Sequence, residues 1–154
     1  MRGLIYLLLF LLPPLVVLNR EEAPPPPATP ELVQAAEAGD LARLDALLAE
    51  AGQVDLRDGC RWTPLMKAAL NGHEAVVKRL LAEGAEVDAE DKGGYTALML
   101  AASNDHASIV RLLAEAGADL NHRERTQGWT ALAWARRLSH EKTAHLLETL
   151  GAVP

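Results

Sequence analysis

Thr63-Pro64-Leu65-Met66-Lys67-Ala68-Ala69 returns as Thr96-Ala97-Leu98-Met99-Leu100-Ala101-Ala102 and again as Thr130-Ala131-Leu132-Ala133-Trp134-Ala135. The threonines stand 33 and then 34 residues apart, so one register runs through most of the chain. Self-similarity at that period marks a solenoid, in which each unit buries its apolar side only against its neighbours. Such an architecture leaves one long face for partners and makes a catalytic pocket unnecessary.

Each copy predicts a short helix, a tight turn, a longer helix and a loop. Thr63 is suited to an N-cap and Pro64 to the first helical position, where its missing N–H does no harm. Leu65, Ala68 and Ala69 then share one face. Asn71-Gly72-His73 ends that helix in a left-handed turn, with Asn104-Asp105-His106 and Leu138-Ser139-His140 as counterparts; Ser139 is the poorest choice for such a turn. The second helices are expected over Glu74–Ala82, Ala107–Glu115 and Glu141–Thr149. Their apolar stripes are Val76-Val77 with Leu80-Leu81, Ile109-Val110 with Leu112-Leu113, and Leu146-Leu147. Gly84, Gly117 and Gly151 close them. Glu86-Val87-Asp88 and Asp119-Leu120-Asn121 then lead, strand-like, into the next turn.

Composition agrees with an all-α class. Aromatics are only 4% of the 154 residues, so the core must be built from Leu, Ala and Val, which suits closely packed short helices. The net charge of −6 works against nucleic-acid binding, which depends on neutralising phosphates. The single cysteine, Cys60, permits no intramolecular disulfide and no zinc site of the Cys-pair type.

Residues 1–18 form a separate, almost wholly apolar segment. Arg2 precedes a run from Leu4 to Leu18 broken by Pro13-Pro14, which resembles a secretory signal. As a straight helix the run would reach roughly 22 Å, short of a ~30 Å hydrocarbon core. Val16-Val17-Leu18-Asn19 offers no small-residue cleavage site, so a cleaved signal peptide and an uncleaved signal-anchor both remain open. The charge bias keeps the N-terminus cytoplasmic and the rest outside. Residues 19–30, with Pro24-Pro25-Pro26-Pro27, form an extended polyproline linker. Residues 31–154 are the folded unit.

In these residues the chain resembles the ankyrin-repeat family, whose pattern has a turn with Gly, a T-P-L-H-x-A-A first helix, a G-H start to the second, a V-V-x-L-L stripe and a G-A-D close. Residues 58–90, 91–124 and 125–154 follow most of it. Residues 31–57 are a weaker N-terminal cap, in which Ala35-Ala36-Glu37-Ala38-Gly39-Asp40 matches the helix junction. The resemblance implies a solenoid of about four helix-turn-helix repeats with short β-hairpin-like fingers. Departures from the pattern are specific. Met66, Met99 and Ala133 replace the first-helix histidine, so its hydrogen bond gives way to apolar packing. Arg61 stands where the turn takes Gly94 and Gly128. The turn over residues 122–127 carries one extra residue, and Trp134 replaces an alanine.

The functional expectation is a non-enzymatic protein-binding module with no cofactor, no metal and no catalytic residues, folded as a monomeric domain. His73, His106 and His140 recur at the repeat period, but stacked units ~10 Å apart cannot share an ion that needs nitrogen bonds of ~2 Å. They are therefore read as structural. Trp62, Tyr95 and Trp129 occupy one position on successive fingers, where they either present a row of binding hot spots or pack between adjacent turns. Arg57, Asp58, Arg61, Glu90, Asp91, Lys92, Arg123, Glu124 and Arg125 form a mixed charged rim around them. The candidate partner-binding residues are Arg57, Arg61, Trp62, Lys92, Tyr95, Arg123, Arg125 and Trp129, together with the concave face of the first helices. The expected location is the periplasm or the outer side of an inner membrane, with residues 4–18 as the membrane contact if uncleaved. Competing readings are an inhibitor or immunity protein whose acidic surface covers a basic enzyme, an envelope stress-protection factor and, least favoured, a metal carrier or enzyme.

Overall fold

The computed structural model describes residues 29–153; the apolar segment 1–18 and the proline-rich linker up to residue 28 lie outside the described residues. Eight helices are found among the described residues: α1 (Glu31–Ala38), α2 (Leu41–Ala51), α3 (Pro64–Asn71), α4 (Glu74–Ala82), α5 (Ala97–Ser103), α6 (Ala107–Glu115), α7 (Ala131–Arg137) and α8 (Glu141–Thr149). They form four antiparallel pairs. Each pair stacks on the next, first helix on first helix and second on second.

Side-chain size decides the curvature. Ala68, Ala69, Ala101, Ala102 and Ala135 are buried where the first helices meet, and alanine lets backbones approach closely. Val76, Val77, Leu80, Ile109, Val110, Leu113 and Leu147 fill the space between the helices of a pair and hold the second helices further apart. The first-helix row α1·α3·α5·α7 is consequently in much closer contact than the row α2·α4·α6·α8. The first helices therefore line the inside of the curve.

Two of the three capping threonines close their helices and one does not. Thr63 Oγ1 accepts from Met66 N at 3.2 Å, and Thr130 Oγ1 from Ala133 N at 3.2 Å. Thr96 makes no such bond, and its buried hydroxyl has no partner. Met66 and Met99 are buried as expected of apolar packing, and the Met66 sulfur also lies 3.5 Å from Thr63 N.

The histidines tie repeat to repeat. His73 Nε2 donates to Glu37 O at 2.9 Å, His106 Nε2 to Leu70 O at 3.1 Å and His140 Nε2 to Ser103 O at 3.1 Å. Each acceptor is a carbonyl at the end of a first helix, one of those that the helix itself leaves unpaired. The His106 ring lies over Gly72, where an added Cβ would meet the ring at 2.7 Å. Gly72 also has φ +78°, and Asp105 and Ser139 take the same left-handed turn at φ 58° and 60°. Asp105 puts its side chain to use there, accepting from the buried Thr143 hydroxyl at 2.6 Å.

A second ladder runs along the lower loops. Asp55, Asp88 and Asn121 accept from the backbone N–H of Glu86, Asp119 and Val153 in the following repeat, at 3.1, 2.9 and 2.8 Å. These segments and the fingers were expected to be strand-like, and no strand is present among the described residues. The reason lies in the donors. Side-chain carboxylates and amides occupy N–H groups that a β-ladder would need, and adjacent fingers share single bonds, Lys92 N to Cys60 O at 3.3 Å and Arg125 N to Gly93 O at 2.8 Å.

Both ends of the stack are closed by polar residues. In the later repeats Pro64, Ala97, Ala131, Val76, Ile109 and Thr143 are buried against a preceding unit. The matching residues of the first repeat are Glu31 and Arg43, exposed and paired at 3.1 Å. At the other end Arg136 stands where Ala69 and Ala102 are buried, and it pairs with Glu148 at 2.7 Å. Terminal repeats need such a polar outer face.

Backbone strain separates two turn positions in opposite directions. Arg61 is held at φ 68°, where a side chain is disfavoured by about 1 kcal/mol, so Arg61→Gly should stabilise the fold by about that amount. Gly72→Ala should destabilise it by about 2 kcal/mol, because the new methyl meets both the strained φ and the His106 ring. Urea denaturation of the two variants beside the parent checks both signs.

Candidate functional site

Each finger is folded around one carboxylate. Asp58 Oδ1 accepts from Cys60 N at 2.8 Å and from Trp62 N at 2.9 Å. Asp91 Oδ1 repeats the arrangement with Gly93 N at 2.8 Å and Tyr95 N at 2.9 Å. In the third finger the carboxylate is Glu124, which accepts from the backbone N–H of Thr126, Gln127 and Trp129 and from the Thr126 hydroxyl. The one extra residue of that turn is thus matched by one extra methylene. It does not lengthen the finger freely, because Glu124 is only 2% exposed and holds the turn from within. Backbone closure is the same in all three: Asp58 N to Trp62 O, Asp91 N to Tyr95 O and Glu124 N to Trp129 O, each 3.1 Å.

The expected mixed rim is therefore corrected. Asp91 and Glu124 are buried and Asp58 is half-buried, all engaged with turn amides. Glu90 pairs with Arg125, and one of its carboxylate oxygens lies 3.3 Å from His122 Nε2. Arg57 donates to Glu90 O at 3.1 Å and to Glu86 Oε2 at 2.9 Å, bridging two repeats. Arg123 donates to Gly128 O across its own finger at 2.9 Å. Arg61 and Lys92 are exposed, and among the described residues their side chains form no ion pair. Cys60 is exposed beside Arg61 at the tip of the first finger.

The aromatics are half-buried and face the first helices. Trp134 gathers two of them, with ring centroids 4.8 Å from Trp129 at an interplanar angle of 66° and 6.0 Å from Tyr95 at 46°. Offset and edge-on geometries of this kind add stability beyond the buried area. Trp62 instead has the Lys67 ammonium 4.9 Å above its ring, and Lys67 is paired with Glu37 at 2.9 Å. Arg137 sits 5.8 Å from the Trp129 ring. Leu70 and Trp134, both half-buried, continue this surface along the inside of the curve.

Two features escaped the sequence reading although their period was visible. Asp58, Asp91 and Glu124 are spaced by 33 residues, as are Asp55, Asp88 and Asn121, so a search for recurring acidic residues would have separated turn anchors from surface charge. The Trp134 cluster carried no such signal. Among the described residues no group of three or more His, Cys, Asp or Glu side chains is placed to hold a metal ion.

Burial alone would raise the Glu124 pKa, but the Thr126 hydroxyl and the N–H groups of Trp129, Thr126 and Gln127 outweigh it and hold the carboxyl at about 2, against an ordinary 4.5. A depressed folded-state pKa contributes stability that is fully present above the unfolded value and is lost as pH falls from about 4.5 through about 2. Glu124→Gln should cost about 2 kcal/mol at neutral pH and flatten the stability profile in that acid window. Urea denaturation at stepped pH, variant beside parent, reads both effects.

No curated protein matches the chain. A family model for ankyrin repeats, in three copies, matches residues 32–124. That range holds the first-repeat helix pair, both histidine-linked junctions that follow it and the first two carboxylate-centred fingers. On this match, and on the stacked helix pairs that carry it, the chain belongs to the ankyrin-repeat family.

Proposed function

We propose that this protein is a non-enzymatic interaction module that holds a protein partner between its finger tips and the inner face of its first helices. Ankyrin repeats mediate protein–protein interaction, and the reading assigns that role to a particular edge. One observation carries it: the finger edge of an acidic protein has its carboxylates engaged internally, while Arg61 and Lys92 stay free beside half-buried aromatics. A cationic edge next to the half-buried Leu70 and Trp134 fits a partner segment bearing acidic and apolar side chains. The inhibitor reading, in which an acidic surface covers a basic enzyme, draws no support from this edge.

The test is in-cell crosslinking followed by capture of the full chain. Arg61→Glu combined with Lys92→Glu should reduce the crosslinked partner at least tenfold, and more steeply at low salt. Undiminished capture by that variant would sink the assignment of the finger edge.

Export is the second element of the proposal, supported by the apolar residues 4–18 behind Arg2 and by the proline-rich spacer. It sets the repeat unit on the outer side of a bacterial inner membrane, released or tethered. A C-terminal alkaline phosphatase fusion, active only outside the cytoplasm, should show activity that disappears when residues 4–18 are deleted. An inactive fusion at normal expression would refute the export reading.

A further inference from the structure

The second helices carry a groove of different chemistry on the opposite side of the solenoid. Between α6 and α8 lies an open cavity of about 470 Å³, with Ala107, Leu146 and Leu150 among its lining and Arg111, Lys142 and His145 around it. Arg111, Lys142 and His145 are exposed and, among the described residues, engaged in no ion pair. Thr149, also at the edge, turns its hydroxyl back to His145 O at 2.8 Å.

The repeat register supplies the comparison. At the same positions, the groove between α2 and α4 carries Asp45 and Glu83 beside Lys78 and Arg79, and the groove between α4 and α6 carries Glu74 and Glu115 beside Lys78 and Arg111. Lys78 and Arg79 are neutralised there, Arg79 by Asp45 and Glu83 and Lys78 by Glu74, whereas Arg111, shared with the third groove, is not. In the third groove every charged lining residue is basic. The carboxylates that α6 and α8 carry, Glu115, Glu141 and Glu148, stand outside the lining, and Glu148 is tied to Arg136. Arg111 and Lys142 beside His145, over an apolar floor and with no carboxylate in the lining, set this groove apart from the two before it in a chain of net charge −6.

We propose that the α6/α8 groove binds a phosphate oxyanion carried on an organic body. The Arg111 guanidinium offers a planar fork and Lys142 a compact charge, the two ways in which side chains hold phosphate, while Leu146 and Leu150 accept the apolar part. A soluble phosphoester and an anionic lipid headgroup present the same oxyanion. The groove is remote from the fingers, so partner capture there stands or falls separately.

The experiment uses the full chain in micelles of a neutral detergent, with NMR resonances of Arg111, Lys142 and His145 as the readout. Inorganic phosphate and glycerol 3-phosphate are titrated at constant ionic strength against chloride; in a parallel arm, phosphatidylglycerol is doped into the micelles. The expected result is saturable movement of these resonances that chloride does not reproduce, weakened about tenfold in Arg111→Gln/Lys142→Gln. Movement in the doped micelles identifies the headgroup as the source, and movement with the soluble phosphates alone identifies a phosphoester. Circular dichroism checks that the surface variant is folded. Silence in both arms, an equal response to chloride, or undiminished binding by the double variant overturns the proposal.

Discussion

The first helices of this solenoid end with carbonyls that their own turns cannot satisfy, and in α1, α3 and α5 a histidine from the next repeat takes one of them: Glu37 O, Leu70 O and Ser103 O in succession. That bond sets how far one unit can slide or tilt on the next. It also explains why a residue at positive φ must precede each histidine, since the chain has to reverse within two residues to bring the ring over the preceding unit. The alanines between first helices and the larger aliphatics behind them then set the curvature. Without that junction the apolar faces would still be attracted to one another, but with no register.

Register has consequences for charge. Because the units stack at one spacing, the acidic and amide side chains that recur with it fall into fixed jobs: Asp55, Asp88 and Asn121 bind the next repeat, while Asp58, Asp91 and Glu124 shape the fingers. The net negative charge of the chain is therefore a poor guide to the field at the fingers. What remains exposed there is cationic, and the second-helix side shows a parallel exception in its last groove, where the acidic members of the two earlier grooves are replaced.

Much of the fold was legible in the residues themselves. The period, the three second-helix spans, the left-handed turns at Gly72, Asp105 and Ser139 and the awkward Arg61 all follow from local backbone preferences that a side chain cannot escape. The finger conformation was not legible, because hairpin-like spacing says nothing about which acceptor claims the turn amides; a carboxylate in the right place removes the donors that a strand would use. The aromatic row was read by position alone. Trp134, one helix away, draws Tyr95 and Trp129 down onto the first-helix surface, a contact that no spacing along the chain encodes.

The amino-acid sequence by itself determined the solenoid, its repeat length and the placement of its helices, since these rest on interactions within a unit and on a pattern repeated four times. Only the tertiary structure decided which charges are free. An ion pair or an amide–carboxylate bond between residues some thirty positions apart forms or fails to form according to how two repeats stack, and a residue's type is silent on that. The surface left over after those pairings, and not the composition, is what a partner meets.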